Sequence, residues 1–281
     1  MTKPQMPGSY KTMFKGMKWD FCYREELPWS EIYVDCDSII FEYMLEYVQN
    51  NLIISYETVG ANIFSTKLMT STIMDDISKN CYDKLECLLK KVDNHVIVFG
   101  GEGIEMKQKK MEIYAKSSID AYNELRTASK TDLGKLRKSL CRYIISQRDN
   151  VRNRVKDIMS RKSIICEEPD IYCSQHCMVT FSLDYDLFLF GAKYVIRSID
   201  EDKITFLSRD KLLKNIGLSN MRQLIIASVL CGTDYNTGVK GVGPKKSINI
   251  ALNDPDSDII DTKAVSFFLD IIEHSYNESS W

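Results

Sequence analysis

Short apolar runs alternate along this chain with longer stretches of mixed polarity, and that alternation sets the first expectation. The run EIYVDC, residues 31–36, is β-leaning, and the mostly helix-forming stretch 39–48 follows it directly, a strand-to-helix step. A second step comes after the helical stretch 77–91. There HVIVF, residues 95–99, is nearly all apolar, as a strand buried on both faces should be, and it ends in Gly100 and Gly101. Two further apolar runs, 163–166 and 178–183, each lead into polar and acidic residues. Strands alternating with helices predict an α/β fold with a mostly parallel sheet and helices on both faces.

Charge changes this picture in one place. Residues 107–162 carry sixteen Lys or Arg against six Asp or Glu, inside a chain whose formal net charge is −2. The segment has no proline, and Leu133, Leu136, Leu140, Ile144, Ile145, Val151, Val155 and Ile158 recur at helical intervals, so helices are expected. A solvated helical face is the plain alternative. The lopsided charge favours a phosphate-binding arch, with Lys109, Lys110, Lys135, Arg137 and Lys138 among its contacts.

Composition bounds the rest. A chain of 281 residues, 44% of them hydrophobic, can bury a full core without staples. Nine cysteines, an odd number without regular spacing, fit a reducing intracellular compartment, nucleus or cytoplasm, better than a disulfide framework. No window has signal-peptide or membrane-span character, so no membrane partner is expected.

The candidate chemistry is acidic. Asp35 closes the first strand, and Asp37 follows two residues on, so an extended backbone would show both carboxylates on one face. CEEPD supplies Glu167, Glu168 and Asp170 after the strand 163–166. SLDYDLFLFG supplies Asp184 and Asp186, and LCGTDY supplies Asp234 after an apolar helix. Any one of these pairs could be a helix N-cap. Four together at one sheet edge would repel one another strongly, and hard oxygen donors of this kind select Mg²⁺ or Mn²⁺, in a two-metal site suited to phosphodiester hydrolysis.

Shortly after Asp234 comes NTGVKGVGPKKSINIAL, in which Gly241 and Gly243 permit a tight turn. Pro244 suits a first helical position, and Lys245 and Lys246 lie in the first turn. A glycine-opened helix N-terminus binds phosphate through backbone N–H groups and the helix dipole, without reading sequence.

At these residues the chain resembles the flap-endonuclease (XPG/FEN-like) family of structure-specific 5′ nucleases. Residues 230–252 look like its acidic turn and helix–two-turn–helix element, for which the family uses a potassium ion. SLDYDLFLFG resembles its paired-aspartate motif, CEEPD is similar to its glutamate motif, and YVDCDS looks like its first catalytic aspartate. HVIVFGG looks like the strand before its second aspartate. The resemblance covers roughly residues 31–252. It implies a PIN/FEN-like fold spanning 1–281 as a single domain, with 107–162 as the helical arch. It also implies that Asp35, Glu168 and Asp170 serve one metal and Asp184, Asp186 and Asp234 the other, with Lys107 beside the scissile phosphate. The implied partner is nucleic acid, DNA rather than RNA; protein partners are not indicated.

Three departures stand beside this. Gly100 occupies the place of a family aspartate, leaving Asp37 or Glu102 as substitutes, or a weakened first site. The family's glycine-rich N-terminus is not evident in MTKPQMPGSY, and the Glu168–Asp184 interval is short. Both of these last features resemble the divergent relatives encoded by large DNA viruses. Two other readings remain open: a nuclease-fold scaffold whose catalysis has decayed, and a PIN-like ribonuclease. A zinc cluster of Cys166, Cys173, His176 and Cys177 has irregular spacing and reads better as free thiols, and Phe267 and Phe268 read better as a core helix than as half of a sliding-clamp peptide.

Overall fold

The structure, a computed structural model, describes residues 10–14, 16–23, 29–48, 50, 71–92, 94–101, 108–127, 133–159 and 162–273. The chain folds as two compact units. One comprises residues 36–93 and 108–165, the other residues 1–35, 94–107 and 166–281.

The first unit is helical. Its helices are α1 (Cys36–Tyr47), α2 (Ser71–Leu89), α3 (Gln108–Thr127), α4 (Leu133–Ser146) and α5 (Arg148–Met159). In α2 the buried residues Met74, Ile77, Cys81, Leu85 and Leu88 recur at spacings of three and four, one continuous stripe, and α5 buries Val151, Val155 and Met159 in the same way. These stripes meet: α2 packs on α1 and α5, and α3 packs on α4. Part of the basic charge counted in the sequence is consumed inside the unit. Arg142 pairs with Glu124, Arg152 with both Asp37 and Asp149 at 3.2 Å, and Arg154 with Asp75. Lys138 remains exposed.

The junction of strand and helix corrects one expectation. Helix α1 begins at Cys36, directly after the strand that ends at Asp35, so Asp37 sits in a helical first turn, not on an extended backbone. Asp35 and Asp37 therefore do not share a strand face, and Asp37 pairs with Arg152.

The second unit holds β1 (Asp20–Tyr23), β2 (Ile32–Asp35), β3 (His95–Gly100), the last residue of β4 (Ile164–Cys166), β5 (Val179–Phe181), β6 (Tyr194–Ile199) and β7 (Lys203–Ser208), strands of one seven-stranded sheet. The order is β1-β7-β6-β5-β2-β3-β4, with β4 tied to β3 through Cys166, whose carbonyl accepts from the Gly101 N–H at 2.6 Å. Strands β3, β2, β5 and β6 run parallel, and β6–β7 and β7–β1 are antiparallel. The expected mostly parallel α/β sheet is present, extended by an antiparallel edge. Its helices are α6 (Pro169–His176), α7 (Asp186–Leu189), α8 (Arg209–Ile216), α9 (Met221–Cys231), α10 (Pro244–Asn253) and α11 (Thr262–Glu273).

Helix α9 starts where the Asn220 side chain accepts from the Gln223 N–H at 3.0 Å, and from Leu224 to Cys231 every residue is buried. Helix α11 closes the core with Phe268, fully buried against Phe190 and Tyr235, so Phe267 and Phe268 do belong to a core helix. All nine cysteines are free thiols. Among the described residues no helix is long and apolar enough to cross a membrane.

Candidate active site at the carboxyl edge of the sheet

Strand order decides where chemistry can gather. From β2 the chain goes on to β3 on one side, and from β5 it goes on to β6 on the other, so β2 and β5 flank the point where the winding reverses. In open α/β sheets that reversal leaves a crevice beyond the carboxyl ends of the strands. Asp35 ends β2 there, only 2% exposed. The register pairs Val34 with Phe181, which brings the next residue, Ser182, beside Asp35. The Ser182 hydroxyl donates to Asp35 Oδ2 at 2.7 Å and accepts from the Asp184 N–H at 3.0 Å. One serine thus orients both carboxylates.

The paired aspartates differ in setting. Asp184 Oδ1 accepts from the Asp186 N–H at 3.2 Å, a local turn that opens α7. Asp186 is the first residue of α7 and is buried. Between them Tyr185 stacks on Phe14 at 4.8 Å, and Phe14 and Tyr10 anchor a short 3₁₀ turn, Tyr10–Phe14, in the core. That turn delivers Lys11, whose Nζ lies 2.7 and 3.0 Å from the two oxygens of Asp184 and 3.1 Å from Asp186 Oδ1.

Burial alone would lower the Lys11 pKa, but Asp184 and then Asp234 outweigh it and hold the ammonium charged. Burial would likewise raise the Asp184 carboxyl, and Lys11 reverses this, keeping it below the usual carboxylate range. Asp186 goes the other way: burial first, then the Asp234 charge, push its carboxyl well up. Lys11 is the functional candidate that reading the sequence missed. No local pattern marks it, because its partners lie about 170 residues away.

Asp234 hangs from a loop built by side-chain hydrogen bonds. Asn236 Oδ1 accepts from the Thr233 N–H at 3.1 Å and from its hydroxyl at 2.9 Å, the Thr233 oxygen accepts from the Tyr235 N–H, and Asn236 Nδ2 donates to the Val229 carbonyl at 2.8 Å. Two glycines let the loop close on itself. Gly232 and Gly238 both have positive φ, 91° and 70°, and a Cβ at Gly238 would lie 2.5 Å from the Gly232 nitrogen.

Glu168 and Asp170 come from the start of α6, where Glu168 is the buried N-cap residue and Pro169 holds the first helical position. Two buried groups report that the carboxylates share one region. The Tyr235 phenol is pushed well up by burial and then by Glu168, Asp170, Asp186 and Asp234. The Cys173 thiol is pushed up by burial and then by Asp35 and Asp170. All six candidate metal-site carboxylates, Asp35, Glu168, Asp170, Asp184, Asp186 and Asp234, belong to the second unit, and Tyr235 and Cys173 between them feel five of the six.

Their chemistry fits a hard divalent cation, and Asp186 Oδ1 is buried without a hydrogen-bond partner, an acceptor suited to such an ion. As the side chains stand, no three described ligands converge closely enough to hold a metal. Lys11 lies against Asp184 and Asp186 among these groups.

Gly241 has a φ of 80°, as the tight turn requires, whereas Gly243 is extended at φ −98° and precedes Pro244 as the N-cap of α10. A Cβ at Gly243 would meet nothing within 4 Å, so that position is open to solvent. Lys245 and Lys246 are exposed in the first turn. The N-terminus of α10 thus has Gly243 as its cap, Pro244 behind it and two exposed lysines, and nothing in it adds support for a potassium ion. Lys107 and Glu102 lie outside the described residues. Lys109 and Lys110 start α3, and Lys135 and Arg137 lie in α4, with only their backbone described. Gly100 closes β3, buried, and is not among the positive-φ glycines.

Residues 171–234 match the XPG I-region family model, a span that includes Asp184, Asp186 and Asp234. Flap endonuclease 1 of Methanopyrus kandleri is 28% identical over 177 residues, covering 55% of this chain and 51% of that protein. Flap endonuclease 1 of Pyrobaculum aerophilum is 30% identical over 178 residues, with the same coverage. Single-strand DNA endonuclease 1 of Arabidopsis thaliana is 31% identical over 138 residues, covering 45% of this chain and 23% of that protein. The chain spans about half or less of the length of these curated relatives, and all three are cellular proteins, so the viral likeness gains no support from them.

Among solved structures, flap endonuclease-1 from Methanococcus jannaschii superposes with a TM-score of 0.51 at 17% identity, over 92% of this chain and 82% of that one. The catalytic core of Rad2 in complex with DNA substrate gives 0.50 at 19% identity, over 83% and 64%. These two establish the fold. The chain therefore carries an XPG I-region, is similar in sequence to flap endonucleases over about half its length, and shares their fold.

Proposed function

We propose that this chain is a divalent-metal-dependent, structure-specific 5′ nuclease that hydrolyses phosphodiester bonds of flap, branched or end DNA in replication, repair or recombination. The single observation that carries the proposal is that Ser182 ties Asp35, at the end of β2, to Asp184 after β5 at the winding reversal of the sheet, with Asp184, Asp186 and Asp234 inside the XPG I-region. Asp35, Glu168 and Asp170 would hold one Mg²⁺ or Mn²⁺ ion and Asp184, Asp186 and Asp234 a second. Such ions, when bound, polarise the phosphoryl oxygens and lower the pKa of an attacking water.

The chain's own groups supply the rest. Ser182 keeps Asp35 and Asp184 in register. The Asn236-braced loop fixes Asp234. The α10 N-terminus, with Lys245 and Lys246, holds a backbone phosphate, and the basic helices, with Lys109, Lys110, Lys135, Arg137 and Lys138, attract the strand without reading its sequence. Lys107 would serve beside the scissile phosphate.

Purified protein given Mg²⁺ or Mn²⁺ should cut a 5′-flap DNA in preference to single-stranded DNA, nicked duplex or RNA. Inertness on all four substrates in both metals sinks the proposal. A second reading, a nuclease-fold scaffold that binds DNA without cutting it, draws on Gly100, where the family has a carboxylate, and on the Lys11-neutralised aspartates. It predicts binding without cleavage in the same assay.

Two predictions follow from the glycines. Gly243→Ala fits open space at an ordinary backbone angle, so its melting temperature should match the original protein. The added methyl stands before the helix N–H groups, so affinity for duplex DNA should fall, and the log–log salt slope should flatten by about one phosphate contact. An unchanged slope with unchanged affinity removes α10 from the binding surface. Gly100→Asp meets no positive-φ strain and restores a carboxylate at the end of β3, so half-maximal cleavage should need less Mg²⁺. A rise in the metal requirement would mean that another residue already fills the position.

A further inference from the structure

The position of Lys11 carries an inference beyond the family reading, while resting on the proposal that these carboxylates take divalent metal. Its ammonium touches three carboxylate oxygens of the paired aspartates at 2.7, 3.0 and 3.1 Å. It is delivered by a turn whose flanking aromatics, Tyr10 and Phe14, are locked in the core, so the contact is built into the fold. Its own side chain keeps 28% of its surface and that of Asp184 keeps 30%, whereas the Asp186 side chain keeps 2%. The ammonium thus sits on the open side of the pair, with Asp186 beneath it. Asp186 Oδ1, 3.1 Å from Nζ, is held by charge without a hydrogen bond, an acceptor that a spherical cation could use as well.

We propose that Lys11 is an internal counter-cation for the Asp184–Asp186 pair, occupying the metal-free site and giving way when a divalent ion enters. A buried aspartate pair without a cation is costly, because each carboxylate loses solvation and repels the other. Lys11 relieves that cost in the absence of metal. An ammonium and a divalent ion bound to the same oxygens repel each other, so each should weaken the other's hold, a reciprocal coupling. The flexible four-carbon stem lets the ammonium leave without moving the turn that carries it.

The first test uses the unaltered protein. Amine-reactive labelling of Lys11, read by mass spectrometry, should be slow in EDTA and rise several-fold in Mg²⁺ or Mn²⁺. Labelling that is unchanged or slower in metal overturns the proposal. The second compares the original protein with Lys11→Met, which keeps the apolar stem and removes the charge, by Mn²⁺ binding followed with electron paramagnetic resonance. Lys11→Met should bind Mn²⁺ more tightly by about fivefold to tenfold, the scale of one partly exposed ion pair, and melt at a lower temperature in EDTA. If both proteins bind Mn²⁺ equally, or the variant binds it more weakly, the counter-cation role is wrong and the metal-site reading stands. If neither binds Mn²⁺ at millimolar concentration, both fail together.

Discussion

Asp184→Ala and Asp186→Ala should both lower metal-dependent cleavage by more than about a thousandfold, since each removes a ligand from a site expected to supply several kcal/mol of transition-state stabilisation. Their stabilities should diverge. Asp184 is the main partner of Lys11, at 2.7 and 3.0 Å, and its Oδ1 also accepts from the Asp186 N–H. Removing it strands a part-buried ammonium and opens the turn into α7, at a cost of about 1 to 3 kcal/mol. Asp186 is buried beside another negative charge and suffers from it, so its removal should leave the metal-free protein as stable as before or more so. Denaturant midpoints in EDTA check the divergence. Asp184→Ala activity within about tenfold of the original would remove these residues from the metal site, and equal stabilities would contradict the pairing seen for Lys11.

A larger effect on folding is expected at Gly238. A Cβ there would lie 2.5 Å from the Gly232 nitrogen, 2.6 Å from the Cys231 carbonyl carbon and 2.8 Å from the Gly232 Cα, all of them backbone atoms that no rotamer change can move. The φ of 70° adds left-handed strain for any side chain. Gly238→Ala should therefore cost more than about 4 kcal/mol or force the loop open. Opening the loop breaks the Val239 N–H to Leu230 carbonyl bond and the Asn236 contacts that hold Asp234, so Mn²⁺ affinity should fall along with stability. Gly241→Ala provides the contrast. Its φ is 80° but nothing lies within 4 Å of the added carbon, so it should cost only about 1 to 2 kcal/mol. Similar denaturant midpoints for the two variants would show that the close approach at Gly238 does not hold the loop.

Much of this molecule is legible in its sequence, and the reasons are local. VIVF, residues 96–99, is apolar at every position because β3 lies inside the sheet, and the stripes of α2 and α5 are periodic because one face of each is buried. Gly241 before Gly243-Pro244 predicts a turn into a helix because φ preferences act residue by residue. The acidic motifs are visible because like charges so placed call for a cation.

What only the tertiary structure decided depends on distant pairs. The strand order that sets β2 beside β5, and with it Ser182 against Asp35, is a matter of register between segments almost 150 residues apart. Asp37 reads as sharing a strand face with Asp35 until α1 starts at Cys36, because the break from strand to helix is set by packing and not by the alternation of carboxylates. Several arginines of the basic segment turn out to neutralise acids within their own unit, which a charge count cannot foresee. Lys11 is the clearest instance: its 3₁₀ turn carries no motif, and its meaning arises only when folding brings an ammonium to two aspartates that both face the charge of Asp234.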